Sequence, residues 1–146
     1  MAPLAELVRA VVDGLAAPVL FALLLAVLAA LVDTGVGVGE RVFGLRRLRE
    51  AGDIGIVEGL ARARIDRSDI LARVGPMLGL MGTLIPLGPG LAALGRGDVA
   101  VLAQAVTVAF DTTVMGLLVG ILGFATGRLR RRWYEGVLTE LEVPLG

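Results

Sequence analysis

One carboxylate stands in the middle of a long apolar stretch of this sequence. Asp111 is the single charged residue in the stretch 99–127, and the adjacent Thr112 and Thr113 make the same point of the stretch polar. A carboxylate is costly to place in hydrocarbon, and such a residue usually marks a functional site. We therefore expect Asp111 to be neutral, paired, or exposed to an internal path of water.

Composition assigns the whole chain to a membrane. Of its 146 residues, 56% are hydrophobic, and the mean hydropathy is +0.84, which is too apolar for an ordinary soluble domain. The sequence contains no Cys and no His, which excludes disulfides, thiolate chemistry and His-ligated metal sites. It also shows no nucleophile–base pair, phosphate-binding loop or metal-ligand set. We therefore predict no enzyme activity, no cofactor, no metal and no nucleic-acid partner.

Three uncharged segments are long enough to cross a bilayer. The third would extend about 43 Å as a helix, so it must tilt or protrude. A cleaved signal peptide is the alternative for the first segment, but its apolar stretch is long and Glu6 and Asp13 precede it. The predicted division is an outer segment 1–13, a first span 14–32, a cytoplasmic helical segment 33–73, a second span 74–95, an outer loop 96–98, a third span 99–127 and a cytoplasmic tail 128–146.

The basic residues predict the orientation. All 14 are Arg: eight lie in residues 33–73 and four follow residue 127, whereas the N-terminal segment and the short loop hold one each. Basic residues near the ends of spans favour the cytoplasmic side. The sequence therefore predicts a multi-pass protein of the cytoplasmic membrane, with its N-terminus outside and its C-terminus inside.

The inner segment has helical periodicity of its own. Val42, Leu45 and Leu48 recur among arginines, as in a short amphipathic helix, and residues 51–53 should break it. A second amphipathic stretch covers residues 54–65, and residues 66–69 offer N-cap side chains for a helix that enters the second span. This segment is either a solvated helical hairpin or a docking surface, and the sequence does not separate the two.

Small residues recur at three- and four-residue steps in the second and third spans. This spacing lets helix backbones approach closely, and close packing drives helix association in lipid. The third span also carries a polar stripe along its length, formed by Gln104, Thr107 and Asp111. Since one copy has too few helices to shield every side, we expect self-assembly. The packing stripes comprise Gly75, Gly79, Gly82, Pro86 and Gly90, and Ala109, Thr113, Gly116, Gly120, Gly123 and Gly127.

Two motifs resemble those of one known family. RVGPMLGLMGTLI at residues 73–85 resembles the second-span motif of the MotA/TolQ/ExbB proton-channel family, and AFDTTVMGLLVG at residues 109–120 resembles its third-span motif. The resemblance covers residues 70–132 and includes the order of the elements. It implies an all-α integral membrane subunit with three transmembrane helices that assembles as a ring, typically a pentamer. Single-span ExbD/TolR/MotB-like partners would insert into the pore, where an Asp of the partner takes up protons.

The resemblance also implies residue roles. Thr83 and Thr113 match the pore threonines of the second and third spans, with Thr112 and Asp111 beside them on the predicted proton pathway. A hydroxyl can both donate and accept, so it suits proton transfer, whereas back-bonding to its own helix is the structural alternative. Gly79, Gly82, Gly116 and Gly120 are the predicted packing residues.

The chain departs from better-known members of that family. Asp111 occupies a position that is often apolar or small there, so it belongs either to the proton path or to an interface between subunits. Pro86 and Pro89 should kink the second span. The short inner segment argues against binding to a flagellar rotor.

Two other functions stay open. The chain could be a membrane scaffold that transports nothing, or a proteolipid-like ring subunit of a rotary ATPase in which Asp111 would carry the ion. The lack of further carboxylates favours H⁺ over Na⁺, and the sequence does not name the process that is energised.

Overall fold

The computed structural model describes residues 2–39 and 54–142. In this part of the chain the structure is entirely helical, with α1 at Ala2–Gly39, α2 at Ile54–Leu94 and α3 at Val99–Glu142. Each of the three helices is long and apolar enough to cross a membrane. The prediction of an all-α protein with three membrane-spanning helices is confirmed.

The helices continue beyond the predicted spans. Helix α1 extends past both ends of the span 14–32, α2 begins well before residue 74, and α3 continues well past residue 127. Hydropathy detects only the apolar part of a helix, whereas backbone hydrogen bonding continues into the charged turns. The amphipathic helix predicted around Val42–Leu48 and the break predicted at 51–53 lie outside the described residues.

The prediction of a helix start at residues 66–69 is wrong. These residues lie inside α2, several turns after its first residue, Ile54. Ser68 does not cap a helix; its side chain is fully buried and its Oγ lies 2.7 Å from Asp33 Oδ2 on α1. Residue types that cap helices are also used inside them when a partner on another helix takes their hydrogen bond.

Four prolines lie in the interiors of the helices without ending them. Pro18 is in α1, and Pro76, Pro86 and Pro89 are in α2. A proline has no N–H, so the carbonyl four residues earlier loses its donor within the helix. Membrane helices tolerate this loss because neighbouring helices and local adjustments satisfy the freed groups.

A short connection joins α2 to α3. Gly97 N–H donates to the Leu94 carbonyl at 2.9 Å, and Asp98 N–H donates to the Ala93 carbonyl at 3.0 Å. This pattern ends a helix with a left-handed residue, and Gly97 has a φ of 83°. Asp98 then caps α3, because its Oδ1 accepts from Val101 N–H at 3.2 Å. The tight hairpin thus follows from one glycine and one capping carboxylate.

The chain divides into two compact units, and each helix contributes to both. The first unit comprises Met1–Val27 and Val74–Val119, and the second comprises Leu28–Arg73 and Gly120–Gly146. The buried side chains of the first unit are apolar or hydroxyl-bearing, and most are small or β-branched, such as Val19, Ala93 and Val119; Leu23 is the larger one. Those of the second unit include a charged residue, Arg130, and a polar one, Ser68.

Candidate functional site

Glycines bring α2 and α3 together in the first unit. Gly79 and Gly116 face each other so closely that a Cβ added at Gly116 would lie 2.6 Å from the Gly79 Cα. A Cβ added at Gly79 would lie 3.0 Å from the Gly116 Cα. A Cβ at Gly75 would meet the side chain of Val119 at 2.6 Å. The two backbones therefore touch along this line, as close packing of small residues in lipid requires.

Thr112 occupies the place against α2 that the sequence pattern predicts for Thr113. A Cβ added at Gly82 would lie 2.8 Å from the Thr112 Cβ, and the Thr112 side chain is 5% exposed. Its hydroxyl lies 3.0 Å from the carbonyls of Val108 and Ala109 in its own helix. Thr112 therefore packs between the helices, and its hydroxyl is satisfied within α3.

The other two threonines of the predicted pathway are half-buried. Thr83 donates to the Leu80 carbonyl at 2.6 Å, and Thr113 donates to the Ala109 carbonyl at 2.9 Å. A threonine hydroxyl has one proton to donate and two lone pairs to accept with. Each oxygen therefore keeps acceptor capacity toward a water molecule or a proton donor outside its own helix.

Asp111 lies on an exposed side of α3 in the single copy. Gln104 and Thr107, which precede it by about two turns and one turn, are exposed as well. Thr107 donates to the Ala103 carbonyl at 3.0 Å. Asp111 makes no hydrogen bond or ion pair with any residue that the structure describes. A carboxylate and an amide thus lie uncovered in the apolar part of a membrane helix.

A buried ion pair ties the three helices together in the second unit. Arg130 on α3 is 1% exposed, and its Nη1 donates to Asp33 Oδ1 on α1 at 2.7 Å and to Ser68 Oγ on α2 at 3.0 Å. Its Nη2 donates to the backbone carbonyl of Asp33 at 3.0 Å. The guanidinium thus binds both a carboxylate and a main-chain oxygen, which fixes its plane.

The sequence pattern does not reveal this cluster. In that pattern Asp33 is only the boundary of the first span, and Arg130 is one of several interfacial arginines. Both lie at the predicted inner ends of spans, at the same depth and with opposite charge. That coincidence is the signal from which the pair could have been inferred.

Glycines also approach α2 in the second unit. A Cβ added at Gly123 would lie 2.6 Å from the Ala72 backbone nitrogen and 2.8 Å from the Ser68 carbonyl oxygen. Gly120 is half-buried. The predicted packing role of Gly120 stays a prediction.

The described residues hold no group of three or more His, Cys, Asp or Glu side chains that could bind a metal ion. The polar side chains of the site carry hydroxyls, one amide (Gln104) and one carboxylate (Asp111). Such groups can transfer protons or hold water.

Comparison with known proteins gives one family and one relative. The family model of the MotA/TolQ/ExbB proton channel family matches residues 53–143. A biopolymer transport protein ExbB homologue of Methanothermobacter thermautotrophicus is 40% identical over 65 residues, which cover 40% of this chain and 23% of that protein. The chain therefore matches less than a quarter of that relative's length. No solved structure matches the chain. Because the family model covers well over half of the sequence and includes both glycine-rich helices, the chain belongs to the MotA/TolQ/ExbB proton channel family.

Proposed function

We propose that this chain is the ring-forming subunit of a membrane motor driven by the proton motive force, and that it conducts protons together with a single-span ExbD/TolR/MotB-like partner. The observation that carries the proposal is the exposed polar stripe of Gln104, Thr107 and Asp111 on α3. Hydrocarbon offers these groups no hydrogen bonds. A ring covers them with a second copy, a partner helix or enclosed water.

Family membership supports the assembly. The proposed ring is a homopentamer in the cytoplasmic membrane, with the N-terminus outside and the arginine-rich ends of the helices inside. The close α2–α3 pairing through Gly79 and Gly116 favours a stable hairpin as the unit that assembles. The remaining exposed faces of the helices are then available for contacts with other copies.

Within the ring, Thr83 and Thr113 are the proposed pore residues. Each hydroxyl donates to a carbonyl of its own helix and retains lone pairs that can accept from water. When such an oxygen accepts a proton from a water molecule on one side, it can pass its own proton to an acceptor on the other side, and rotation of the neutral hydroxyl then restores the starting arrangement. The burial of Thr112 against Gly82 favours a packing role beside this path over direct contact with water.

Asp111 is proposed to lie at an interface between subunits or next to the pore. Its exposure in the single copy leaves its oxygens open to a donor from another chain. The lack of a multi-carboxylate group among the described residues favours H⁺ over Na⁺ as the ion. The partner's carboxylate is then the main titrating group of the pore.

The proposal predicts that removing the two hydroxyls lowers proton flux without breaking the ring. The chain is co-purified with its single-span partner from native membranes and reconstituted in liposomes that contain a pH-sensitive dye. Thr83→Val and Thr113→Val should each reduce flux about tenfold or more, because a positioned proton-transfer group contributes at least that much. Thr139→Val is the matched control, because its hydroxyl also donates to its own helix, to Glu135, but outside the predicted spans.

Native mass spectrometry of each variant shows whether the ring is intact. Unchanged flux in both Thr83→Val and Thr113→Val, or a wild-type chain that stays monomeric in mild detergent, would contradict the proposal. Asp111→Asn in the same assay separates the roles of that carboxylate. Full flux assigns it to the interface, and loss of flux from an intact ring makes it a proton carrier.

A further inference from the structure

A groove in the second unit is lined by apolar side chains and by arginines. It has a volume of about 470 Å³ and lies between α1 and α2. The apolar wall consists of Ala29, Val32 and Val36 from α1 and Ile70 and Leu71 from α2. Val32, Val36 and Ile70 are 65%, 47% and 58% exposed, so the residues that the structure describes leave this wall uncovered.

The charges on the groove are predominantly positive. Three arginines line it, against one carboxylate, Asp33. Asp33 is bound to Arg130 at 2.7 Å, and two further arginines line the groove. These are Arg64 and Arg67, whose i, i+3 spacing places them on one side of α2. Arg67 is exposed and makes no ion pair or hydrogen bond with the residues that the structure describes.

Charge and hydropathy are ordered along the groove. On α2 the lining residues run from Arg64 and Arg67 to Ile70 and Leu71, which lie further into the apolar part of the helix. A phospholipid has the same order, with an anionic phosphate at one end and acyl chains at the other. Basic pockets between membrane helices on the arginine-rich side typically bind anionic headgroups.

We propose that this groove binds one anionic phospholipid from the leaflet at the arginine-rich ends of the helices. Arg67 binds the phosphate. An acyl chain lies along the wall formed by Ala29, Val32 and Ile70. This site is independent of the proton path, because it shares no residue with the polar stripe of α3 or with Thr83.

The test measures lipid retention by the full-length protein in native mass spectrometry. Delipidated protein in mild detergent is mixed with phosphatidylglycerol or with phosphatidylcholine of the same acyl chains. Phosphatidylglycerol should be retained preferentially, and Arg67→Gln should weaken its binding about fivefold, as expected for one Arg at an anionic surface. Arg67→Lys keeps the charge and should retain most of the affinity. Arg73→Gln is the matched control, because Arg73 is exposed on the same helix and does not line the groove.

A steric variant tests the acyl-chain part of the site. Ala29→Leu places a larger side chain on the apolar wall and should reduce retention of phosphatidylglycerol, whereas Ala17→Leu, at an exposed position of the same helix away from the groove, should not. Equal retention of the two lipids, or an effect of Arg73→Gln as large as that of Arg67→Gln, would overturn the proposal. If inorganic phosphate displaces phosphatidylglycerol and Ala29→Leu has no effect on its retention, the groove is a simple anion site. That result would also overturn the proposal.

Discussion

In the first unit, glycines let α2 pack directly against the backbone and small or β-branched side chains of α3, whereas in the second unit a buried guanidinium joins all three helices. The described residues of the first unit form no hydrogen bond between side chains of different helices. Its threonines donate to carbonyls of their own helix, as Thr83 and Thr113 do. In the second unit, Arg130 reaches both Asp33 and Ser68.

This difference separates polar groups that hold the fold from polar groups that are free for function. The cluster around Arg130 binds within its own chain, so it serves the stability of one copy. Asp111 and Gln104 contribute nothing to the packing of one copy, since both are exposed. Polar groups that are expensive in hydrocarbon and that do not support the fold are the stronger candidates for function.

The largest expected effect comes from breaking the buried ion pair. Arg130→Met leaves the Asp33 carboxylate without its partner, and removing one member of a buried pair costs about 3–5 kcal/mol. Asp33 retains 16% side-chain exposure, so we expect a loss near the lower end. The free energy of unfolding is measured by titration with sodium dodecyl sulfate in mixed micelles, followed by circular dichroism.

The neighbouring residue supplies the control. Arg131 pairs with Asp69 at 3.2 Å, with 56% and 41% of the two side chains exposed. Arg131→Met should therefore cost less than about 1 kcal/mol. The double variant Asp33→Leu/Arg130→Met should recover most of the loss, because no buried charge is left without a partner. Equal losses for Arg130→Met and Arg131→Met would remove the contrast between the two units.

A smaller loss is expected from a single methyl group in the first unit. Gly116→Ala puts a Cβ 2.6 Å from the Gly79 Cα and 2.7 Å from the Gly75 carbonyl oxygen, so the two helices must separate. Overpacking of this kind costs about 1–3 kcal/mol. The same titration measures it. Gly14→Ala meets no atom within 4 Å and should leave stability unchanged or raise it by about 0.5–1 kcal/mol. A tolerated Gly116→Ala would show that close backbone contact does not hold the hairpin.

The smallest effect concerns a hydroxyl pair in the second unit. The Oγ1 atoms of Thr34 and Thr126 are 3.2 Å apart. Thr34 donates to the Ala30 carbonyl at 2.7 Å, so Thr126 must be the donor between the helices. Thr126→Val should cost about 0.6 kcal/mol, the average for a hydrogen bond between membrane helices. A double-mutant cycle with Thr34→Val isolates this bond. A coupling energy of zero would leave the Arg130 cluster as the polar link that matters in this unit.

Local patterns in the sequence predict much of the fold. Three apolar stretches predict three helices, and a short connection with Gly97 predicts the hairpin. The pattern fails where a residue type has two uses. It predicts a helix cap at Ser68 and its neighbours, although Ser68 lies inside α2 and binds Asp33. Propensity describes what a side chain does with its own backbone, and here a partner on another helix changes that role.

The sequence predicts which residues belong to the candidate site, but it predicts less well which side of the helix each of them occupies. Spacing places Thr113 on the packing side of α3, whereas Thr112 makes the contact with Gly82. A rotation of about 100° per residue leaves adjacent positions ambiguous when the contact line between two helices is not known. The roles of Thr83, Thr113 and Asp111 in proton transfer stay predictions that the flux experiments address.

The sequence by itself determined that this is a membrane protein, how many membrane helices it has and which family it belongs to. Hydropathy, length and motif are properties of contiguous residues. Only the tertiary structure decided which polar groups bind to one another within the folded chain. Asp33 and Arg130 are 97 residues apart and form a buried pair, whereas Asp111, the most conspicuous charge in the sequence, stays exposed on one copy. The physical reason is that a buried charge needs a partner at hydrogen-bond distance, and only the packing of separate helices determines which groups come that close.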